Sequence, residues 1–326
     1  MTGSQSVSPK VAIVGTGAIG RGWATLCVSA GWGAQLLDSD TRAADQAAGE
    51  IERRAHALVT LGRAPAKTVE AGLKRLKLGR SLLQACGDAD WVVESVPEDL
   101  HAKQRVFENV GQVVRPGTII TSSSSGLPIT EIAAHARDQT CCLVAHPLNP
   151  PELIPLVEVV PGKFTAAPAV EAVREWLRAL GRIPIVLKRE VPGNAVGRIA
   201  AAVWREAIDL VLAGVMDVDD IDRAVSLGPG LGWAAAGPHL TYHLGAGDGG
   251  VKAFLEQLLA HFEAWWGSLA QWTKLEPEQV QALTGQIERA YGANLDSLRE
   301  ARDRRLATIL QALERARKSG GSAGPS

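Results

Sequence analysis

The stretch VAIVGTGAIG at residues 11–20 decides the first part of the fold. Its four apolar residues, 11–14, predict a short buried strand, and the three glycines that follow form a G-x-G-x-x-G turn. A helical pattern continues over 21–30, and a second apolar run, 34–37, ends at Asp38. Strand, glycine turn, helix and strand within about 30 residues are the proportions of a βαβ unit.

The glycine turn has the chemistry of a dinucleotide-binding site. Gly15 permits the tight turn, Gly17 lets the backbone approach a pyrophosphate, and Gly20 lets the helix pack close to the strand. The helix N-terminus, which begins with Ala18 and Ile19, faces the phosphates. The motif alone is weak, but a strand before it and a helix after it make it specific. The alternative is an ordinary strand-to-helix turn.

Asp38 lies eighteen residues beyond Gly20, at the end of the second predicted strand. A carboxylate at this place accepts hydrogen bonds from the adenosine ribose, and its charge repels a 2′-phosphate. The sequence therefore predicts NAD rather than NADP as the cofactor. Arg42 leaves NADP open as an alternative, although a solvated arginine at a helix start explains this residue as well.

The rest of the chain divides into two parts by its patterns. Strands and helices alternate up to residue 187, which predicts an α/β protein with an N-terminal Rossmann-type doubly wound, mostly parallel sheet. Residues 41–87 predict one or two helices. We expect an NAD-binding domain over 1–190, an all-α C-terminal domain over 191–316 and a disordered, Gly- and Ser-rich tail over 317–326. Further strands are predicted at 90–94, 118–121, 141–145 and 183–187, and further helices at 100–113 and 167–180.

Composition argues against several classes of protein. A formal net charge of -1 gives no reason to bind nucleic acid or an anionic membrane. No apolar run approaches the roughly 20 residues needed to cross a bilayer, and residues 1–9 lack the layout of a signal peptide. The four cysteines show no metal-ligand spacing, so we expect no metal and a reduced, cytoplasmic setting.

A histidine and a carboxylate twelve residues apart form the candidate catalytic pair. His146 follows an apolar strand, where α/β enzymes place their chemistry, and Glu158 is embedded in the apolar stretch 156–160. A buried carboxylate is costly unless it is partnered, and an imidazole is its natural partner. The carboxylate then fixes the tautomer and stabilises the imidazolium during proton transfer. Each residue alone is more often structural, but together they indicate an acid–base pair.

With these residues the chain resembles the 3-hydroxyacyl-CoA dehydrogenase superfamily, and within it the branch of L-gulonate 3-dehydrogenase (lambda-crystallin) and L-carnitine dehydrogenase. The resemblance implies an NAD-dependent oxidoreductase that interconverts a secondary hydroxyl group and a ketone. A helical domain of this composition often dimerises, so we expect a homodimer through residues 191–316. The likeness runs from Val11 to Leu313 and rests on GTGAIG at 15–20, ESVPEDL at 94–100, HPLNPPELIPLVEVV at 146–160, VWREA at 203–207 and GLGWAAAGP at 230–238.

The resemblance also implies roles for single residues. His146 corresponds to the general acid/base of the family, Glu158 to its orienting carboxylate, and Ser125 to the serine that hydrogen-bonds the substrate hydroxyl. Glu98 and Lys103 fall where the family contacts the ribose and the nicotinamide side of the cofactor. The alternative for these two is an exposed ion pair at a helix start.

The substrate pocket is where the chain departs from the family pattern. Gly197 stands where relatives carry an asparagine that helps to position the substrate, although Asn194, one turn earlier, is a partial substitute. Gly232 replaces an arginine suited to a substrate carboxylate, and Leu240 replaces a glutamate. The candidate substrate residues are therefore Ser125, Asn149, Asn194, Gly197 and Trp233.

These departures leave several functions open. We expect a substrate that is bulkier or less acidic than gulonate, unless Arg198 or Arg205 binds the anion instead. The alternatives are a reductase of bulky ketones or cyclic imines, an L-carnitine dehydrogenase, a 3-hydroxyacyl-CoA enzyme and a crystallin-like structural protein. Tryptophan and tyrosine side chains of the second domain can cage a quaternary ammonium, although packing is the commoner role of such residues.

Overall fold

A computed structural model describes residues 8–319 of the chain. These residues belong to two compact units, which divide between Arg198 and Ile199. The division follows the first turn of the helix that begins at Asn194, because two backbone N–H groups of this turn are hydrogen-bonded to Glu158 in the first unit. The predicted separation into domains at residue 190 stays a prediction.

Eight strands form one sheet in the first unit: β1 (Val11–Val14), β2 (Ala34–Leu37), β3 (Lys77–Leu78), β4 (Trp91–Glu94), β5 (Ile119–Ser122), β6 (Cys142–Pro147), β7 (Leu156–Pro161) and β8 (Ile183–Val186). Their order across the sheet is β3-β2-β1-β4-β5-β6-β7-β8. Every neighbouring pair is parallel except β6 with β7. The predicted mostly parallel, doubly wound sheet is therefore confirmed.

The helices of the first unit are α1 (Ala18–Ser29), α2 (Thr41–Thr60), α3 (Ala66–Leu73), α4 (Leu82–Cys86), α5 (Leu100–Val113), α6 (Ile129–Ile132) and α7 (Ala167–Ala179). The expectation of one or two helices over 41–87 is wrong, since this stretch holds three helices and β3. Gly62, with φ +67°, follows the end of α2, and Pro65 precedes the start of α3. These two residues interrupt what reads as one continuous helical composition.

Both faces of the central strands are buried, as a parallel sheet between two helical layers requires. Val11 and Ile13 of β1 pack on one face in a cluster that includes Trp23 of α1. Ala12 and Val14 pack on the other face in a second cluster. The carboxyl ends of the parallel strands therefore meet at one edge of the sheet, where α/β proteins bind their ligands.

The second unit is helical, as predicted. Its helices are α8 (Asn194–Leu212), whose first turn belongs to the first unit, α9 (Val218–Leu227), α10 (Pro229–Leu244), α11 (Gly250–Ser268), α12 (Pro277–Tyr291) and α13 (Leu295–Ser319). The tail predicted over 317–326 needs a correction, because 317–319 are the last residues of α13. Arg317 and Lys318 favour this helical end, since cations stabilise a helix C-terminus. Residues 320–326 lie outside the described chain. Between residues 8 and 319, no helix is long and apolar enough to span a membrane.

Candidate active site

The three glycines at the turn from β1 into α1 are each required for a different geometric reason. Gly15 has φ +96°, and a Cβ atom there would lie 2.6 Å from the backbone oxygen of Ser95. A Cβ at Gly20 would lie 1.9 Å from the carbonyl oxygen of Gly15, so only glycine lets α1 approach this closely. A Cβ at Gly17 would meet no described atom within 4 Å. The turn therefore opens onto free space at the N-terminus of α1, where no described side chain caps the N–H groups.

That space is part of a cavity of about 890 Å³. The cavity is lined by five of the predicted cofactor residues: Gly15, Gly17, Ala18, Ile19 and Asp38. Apolar side chains form much of the remaining wall, among them Leu37, Ala43, Leu82, Val96 and Val106. Free helix N–H groups suit a pyrophosphate, a carboxylate suits a ribose and an apolar slot suits an adenine. The residues present therefore fit NAD.

Asp38 is held in place by the glycine turn. Its Oδ2 accepts hydrogen bonds from Thr16 N at 2.7 Å and Thr16 Oγ1 at 2.8 Å, and its Oδ1 accepts one from Asp40 N at 3.1 Å. Partial burial opposes ionisation, but these hydrogen bonds hold the pKa of Asp38 below its ordinary value. The cavity wall therefore carries a negative charge at neutral pH, which disfavours a 2′-phosphate. Arg42 is not among the residues that line the cavity.

Lys103 is buried in a charged cluster with Glu94 and Glu98, and its contact with the cofactor stays a prediction. Its side chain is 1% exposed and is not part of the cavity wall. The ammonium group donates to Glu94 Oε1 at 3.0 Å and to the Val96 carbonyl oxygen at 3.2 Å, and it lies 3.3 Å from Glu98 Oε2. The alternative of an exposed ion pair at a helix start is wrong for this lysine, because its side chain is buried and two carboxylates and a carbonyl surround its charge. Glu98 is likewise absent from the cavity wall, although 45% of its side chain is exposed.

Glu94 is a buried carboxylate that sequence reasoning missed. It ends β4 with no exposed surface, and it accepts hydrogen bonds from Lys103, from Ser122 Oγ at 2.6 Å and from Val96 N at 2.7 Å. Burial raises the pKa of Glu94 above its ordinary value, and these three donors oppose that rise. The available signal was an acid at the end of an apolar strand, with a lysine nine residues later.

Four consecutive serines, 122–125, follow one another from the end of β5. The hydroxyl groups of the first three are hydrogen-bonded to Glu94 at 2.6 Å, to Ser95 at 2.9 Å and to Glu98 at 2.6 Å, in that order. The exposed hydroxyl of Ser125 has no partner among residues 8–319, whereas its backbone N–H donates to Glu98 Oε1 at 3.0 Å. Ser125 is thus the member of the run whose hydroxyl is available to a ligand.

His146 and Glu158 face each other across the antiparallel pair of β6 and β7. The distance from His146 Nδ1 to Glu158 Oε2 is 2.8 Å, so the predicted contact is present. Glu158 Oε1 also accepts hydrogen bonds from Ala195 N and Val196 N, each at 2.9 Å. Burial opposes ionisation, but His146 and the two N–H groups hold the pKa of Glu158 below its ordinary value. The second ring nitrogen, His146 Nε2, has no partner in the described part of the chain.

The first turn of α8 binds both parts of this site. Asn194, with φ +48° and only 4% exposed, donates through Nδ2 to the carbonyl oxygens of Ser125 at 3.2 Å and Ser124 at 3.4 Å. Its NH₂ group is therefore bound to the serine loop, and contact of Asn194 with substrate stays a prediction. The next residues of the same turn donate to Glu158. One helical turn thus connects the Ser125 loop with the partner of His146.

The remaining predicted substrate residues lie in open surroundings. Asn149 is exposed two residues after the end of β6. A Cβ at Gly197 would meet, among described atoms, only the Ser125 carbonyl oxygen at 3.9 Å, so a side chain fits there. In the second unit, Trp233 is half-buried in α10, and a Cβ at Gly232 would meet no described atom within 4 Å. Leu240 is 36% exposed in the same helix.

The second unit also contains an aromatic cluster between α10 and α11. Neighbouring rings lie 5.0–5.8 Å apart between centroids, a packing distance for aromatic pairs. Its members are Tyr242, Phe254, Phe262, Trp265 and Trp266. Elsewhere in this unit Arg205 donates to the Trp272 carbonyl oxygen at 3.4 Å. Over residues 8–319, no group of three or more His, Cys, Asp or Glu side chains is arranged to hold a metal ion.

Comparison with known proteins gives matches along most of the chain. Residues 10–191 match the NAD binding domain of 3-hydroxyacyl-CoA dehydrogenase, and residues 193–283 match its C-terminal domain. An L-carnitine dehydrogenase of Streptomyces coelicolor is 36% identical over 316 residues, which cover 97% of this chain and 98% of the relative. A 3-hydroxyacyl-CoA dehydrogenase of Gibberella moniliformis is 34% identical over 313 residues, which cover 94% and 95% of the two chains.

One solved structure shares the fold of this chain over almost the whole length of both proteins. It is the 5-dehydrogenase of 5-formyl-3-hydroxy-2-methylpyridine 4-carboxylic acid, an NAD⁺-dependent dismutase, with a TM-score of 0.78 and 29% identity. The match covers 94% of this chain and 99% of the other. The chain therefore belongs to the 3-hydroxyacyl-CoA dehydrogenase family, in the L-carnitine dehydrogenase branch, and is an NAD-dependent dehydrogenase of a secondary hydroxyl group.

Proposed function

We propose that the chain interconverts the secondary hydroxyl group of a small 3-hydroxy acid and the corresponding ketone, with L-carnitine as the first substrate to test. The observation that carries this proposal is the 2.8 Å contact between His146 and Glu158. Ser125 supports it, because its free hydroxyl belongs to the loop that Asn194 connects to this pair. The near full-length likeness to L-carnitine dehydrogenases supports the choice of substrate.

In the oxidative direction each residue has one task. Ser125 Oγ hydrogen-bonds the oxygen of the substrate hydroxyl and holds it in reach of His146. His146 accepts the hydroxyl proton at Nε2, and Glu158 offsets the charge of the imidazolium through Nδ1. Bound NAD supplies the acceptor for the hydride of the carbinol carbon. In reduction, His146 returns the proton to the carbonyl oxygen.

The cofactor is proposed to lie in the cavity at the glycine turn. Gly15, Gly17 and Gly20 keep the backbone close to the pyrophosphate, while the first N–H groups of α1, at Ala18 and Ile19, bind it. Asp38 receives the adenosine ribose hydroxyls. Glu98 is a further candidate for a ribose contact, because nearly half of its side chain is exposed.

Small residues support a substrate pocket with more room and less charge than the family pattern implies. A Cβ at Gly232 meets no described atom within 4 Å, and the arginine that the resemblance implies there would add about 1.5–3 kcal/mol to the binding of a carboxylate. In the first unit, Arg198 is a candidate for binding an anion, since its exposed guanidinium donates only to the Pro192 carbonyl oxygen at 3.4 Å among the described residues. A bulky, uncharged secondary alcohol is therefore the second candidate substrate, and Gly232 is the observation that favours it.

Substrate profiling separates these candidates. The protein is mixed with NAD and one candidate substrate in alkaline buffer, and the formation of NADH is followed by its absorbance. The substrates in this panel are L-carnitine, L-gulonate, 3-hydroxybutyrate, 3-hydroxybutyryl-CoA and bulky uncharged secondary alcohols. Turnover of a free hydroxy acid supports the main proposal, and L-carnitine as the best substrate supports its specific form. Turnover of only the uncharged alcohols supports the second candidate. NADH binding without any turnover contradicts both and favours a structural role.

A homodimer formed through the second unit and a cytoplasmic setting complete the proposal. Large apolar side chains on this unit support the dimer, because Trp204 is 64% exposed, Trp265 56% and Trp266 54%. Four unpaired cysteines support a reducing compartment. Sedimentation velocity tests the dimer, and a monomer at micromolar concentration contradicts it.

A further inference from the structure

We propose that Arg21 binds the pyrophosphate of the cofactor through the two terminal nitrogens of its guanidinium group. This inference rests on the proposed placement of NAD in the cavity at the glycine turn and goes beyond it, because it adds a charged side chain to the backbone N–H groups of α1. Arg21 directly follows the last glycine of the G-x-G-x-x-G turn and is the fourth residue of α1.

The guanidinium group of Arg21 lies beside the glycine turn. Side chains of a helix lean toward its N-terminus, so the side chain of the fourth residue reaches back over the first turn. Arg21 Nε donates to the carbonyl oxygen of Thr16 at 2.7 Å, which fixes the group just before the helix begins. The side chain is half-buried and lines the same cavity as Gly15 and Gly17. Arg21 is therefore close to the free N–H groups of α1, where the pyrophosphate is proposed to lie.

The charge of Arg21 has no counter-ion among residues 8–319. A guanidinium group has five N–H donors, and in the described part of the chain only the one on Nε has an acceptor. A half-buried cation has lost part of its hydration, and no carboxylate of these residues compensates for that loss. The two terminal nitrogens form a planar fork that matches two phosphate oxygens. A diphosphate in the cavity thus supplies the negative charge that this arginine lacks.

Thr16 connects the positive and the negative side chain of the cavity. Its carbonyl oxygen accepts from Arg21, whereas its N and Oγ1 donate to Asp38 Oδ2 at 2.7 and 2.8 Å. The cavity wall also contains Arg105, so its ionisable side chains are two arginines and one aspartate. This balance attracts the two negative charges of a pyrophosphate, while the carboxylate accepts from the uncharged ribose hydroxyls. One residue of the turn therefore fixes a cation for the phosphates and an anion for the sugar.

Three variants of the full-length protein and three ligands test this assignment. Arg21→Met keeps the apolar stem and removes the charge with all its donors, whereas Arg21→Lys keeps the charge and loses the planar fork. Arg137→Met is the matched control, because Arg137 is exposed and is not part of the cavity wall. The ligands are NADH, ADP and adenosine, of which adenosine has no phosphate. Binding of NADH is measured by its fluorescence, and binding of the other two by their displacement of NADH.

The loss of affinity is expected only for ligands that carry the diphosphate. In Arg21→Met the Kd values of NADH and ADP rise at least about tenfold, the scale of hydrogen bonds between charged groups, and the Kd of adenosine changes by less than about threefold. In Arg21→Lys the rise is smaller, since the charge remains. Added salt weakens NADH binding less in Arg21→Met than in the wild type, because one charge contact is missing. The control variant matches the wild type with all three ligands.

Three results overturn the inference. If adenosine binding weakens as much as ADP binding in Arg21→Met, the arginine acts through Thr16 and Asp38 and does not bind the phosphates. If the Kd of ADP is unchanged in this variant, Arg21 makes no contact with the diphosphate. If the wild type binds ADP no more tightly than adenosine, the cavity has no pyrophosphate site. None of these measurements needs a substrate, so failure of the proposed activity is recognised separately by the absence of turnover with every member of the substrate panel.

Discussion

Replacing Glu158 with glutamine separates two tasks that its carboxylate performs. Oε1 accepts two backbone hydrogen bonds at the start of α8, and Oε2 binds His146 Nδ1. In the Gln variant the amide oxygen keeps the two backbone donors, which turns the NH₂ group toward His146. Nδ1 must then accept a hydrogen bond, so the neutral imidazole carries its proton on Nε2. The nitrogen that we propose as the base is blocked, although the fold is preserved.

The hydrogen-bond count gives the size of the stability change. Bonds to a charged acceptor contribute about 1.5–3 kcal/mol each and neutral ones about 0.5–1.5 kcal/mol. Three weakened bonds, partly offset by the lower cost of burying a neutral amide, predict a loss of about 1–2 kcal/mol for Glu158→Gln. Glu158→Ala removes all three acceptor contacts and leaves the donors unpaired, for which we expect about 3–5 kcal/mol. Urea unfolding followed by circular dichroism measures both losses.

Activity is expected to fall far more than stability. A histidine held in the wrong tautomer by an amide partner loses about 10²–10⁴ in kcat, whereas NADH binding is unaffected. Glu190→Gln is the matched control, because Glu190 also accepts hydrogen bonds from a backbone N–H and a hydroxyl, both of Thr130, but has no histidine partner. We expect this control to lose stability and to keep its kcat. A Glu158→Gln enzyme with kcat within about threefold of the wild type refutes the tautomer argument.

The stability difference between the wild type and Glu158→Gln depends on pH. The pKa of Glu158 lies below its ordinary value of 4.5 in the folded protein, so the unfolded state binds the proton more tightly. The stability that the ionised carboxylate adds is therefore fully present above about pH 4.5 and is lost as the pH falls through the folded pKa. The difference in unfolding free energy between the wild type and Glu158→Gln is expected to shrink in that acid range. A difference that grows on acidification contradicts this sign.

Three further predictions concern the proton acceptor and the cofactor cavity. His146→Ala is expected to lower kcat about 10²–10⁴-fold with unchanged NADH binding, whereas His135→Ala, at an exposed histidine, has no effect; equal losses contradict the role of His146. Gly17→Ala is expected to weaken NADH binding without changing the melting temperature, because its Cβ points into the cavity. In Gly20→Ala the Cβ lies 1.9 Å from a backbone oxygen, so this variant is expected to lose about 1–3 kcal/mol of stability. A Gly20→Ala protein with the wild-type free energy of unfolding opposes this reasoning. Asp38→Asn is expected to reduce the preference for NAD over NADP at least tenfold in measured Kd values, and an unchanged ratio means that Asp38 does not discriminate.

The fold was predictable because its signals are local. The apolar run at 11–14, the glycine turn and the helix over 100–113 each have a period or a turn chemistry that neighbouring residues determine. The stretch 41–87 was mispredicted because its Ala, Glu and Arg content favours helix throughout. Gly62 and Pro65 are themselves local signals for a helix end and a new helix start, but the helical composition on both sides of them was given more weight.

The site was predictable only as far as single residues have distinctive chemistry. A histidine and a carboxylate twelve residues apart indicated their own contact, because an antiparallel return brings such positions opposite each other. Asn194 was expected to face the substrate, yet its amide is bound to the carbonyl oxygens of the serine loop. Glu94 went unnoticed because a single acid at a strand end resembles many exposed ones. Such assignments depend on long-range partners, and these are known only once the chain is folded.

The backbone around Ser125 explains why this hydroxyl, among four in a row, is free. Glu98 accepts the N–H groups of Ser125 and Gly126, and Asn194 donates to the carbonyl of Ser125. The N–H and the carbonyl of Ser125 are therefore both hydrogen-bonded, so the hydroxyl is not needed to pair a backbone group. A rigid backbone with one free hydroxyl can align a substrate oxygen without a reorganisation cost. Chemistry at this loop thus follows from the carboxylate and the amide that flank it, and neither of these two has to contact the substrate.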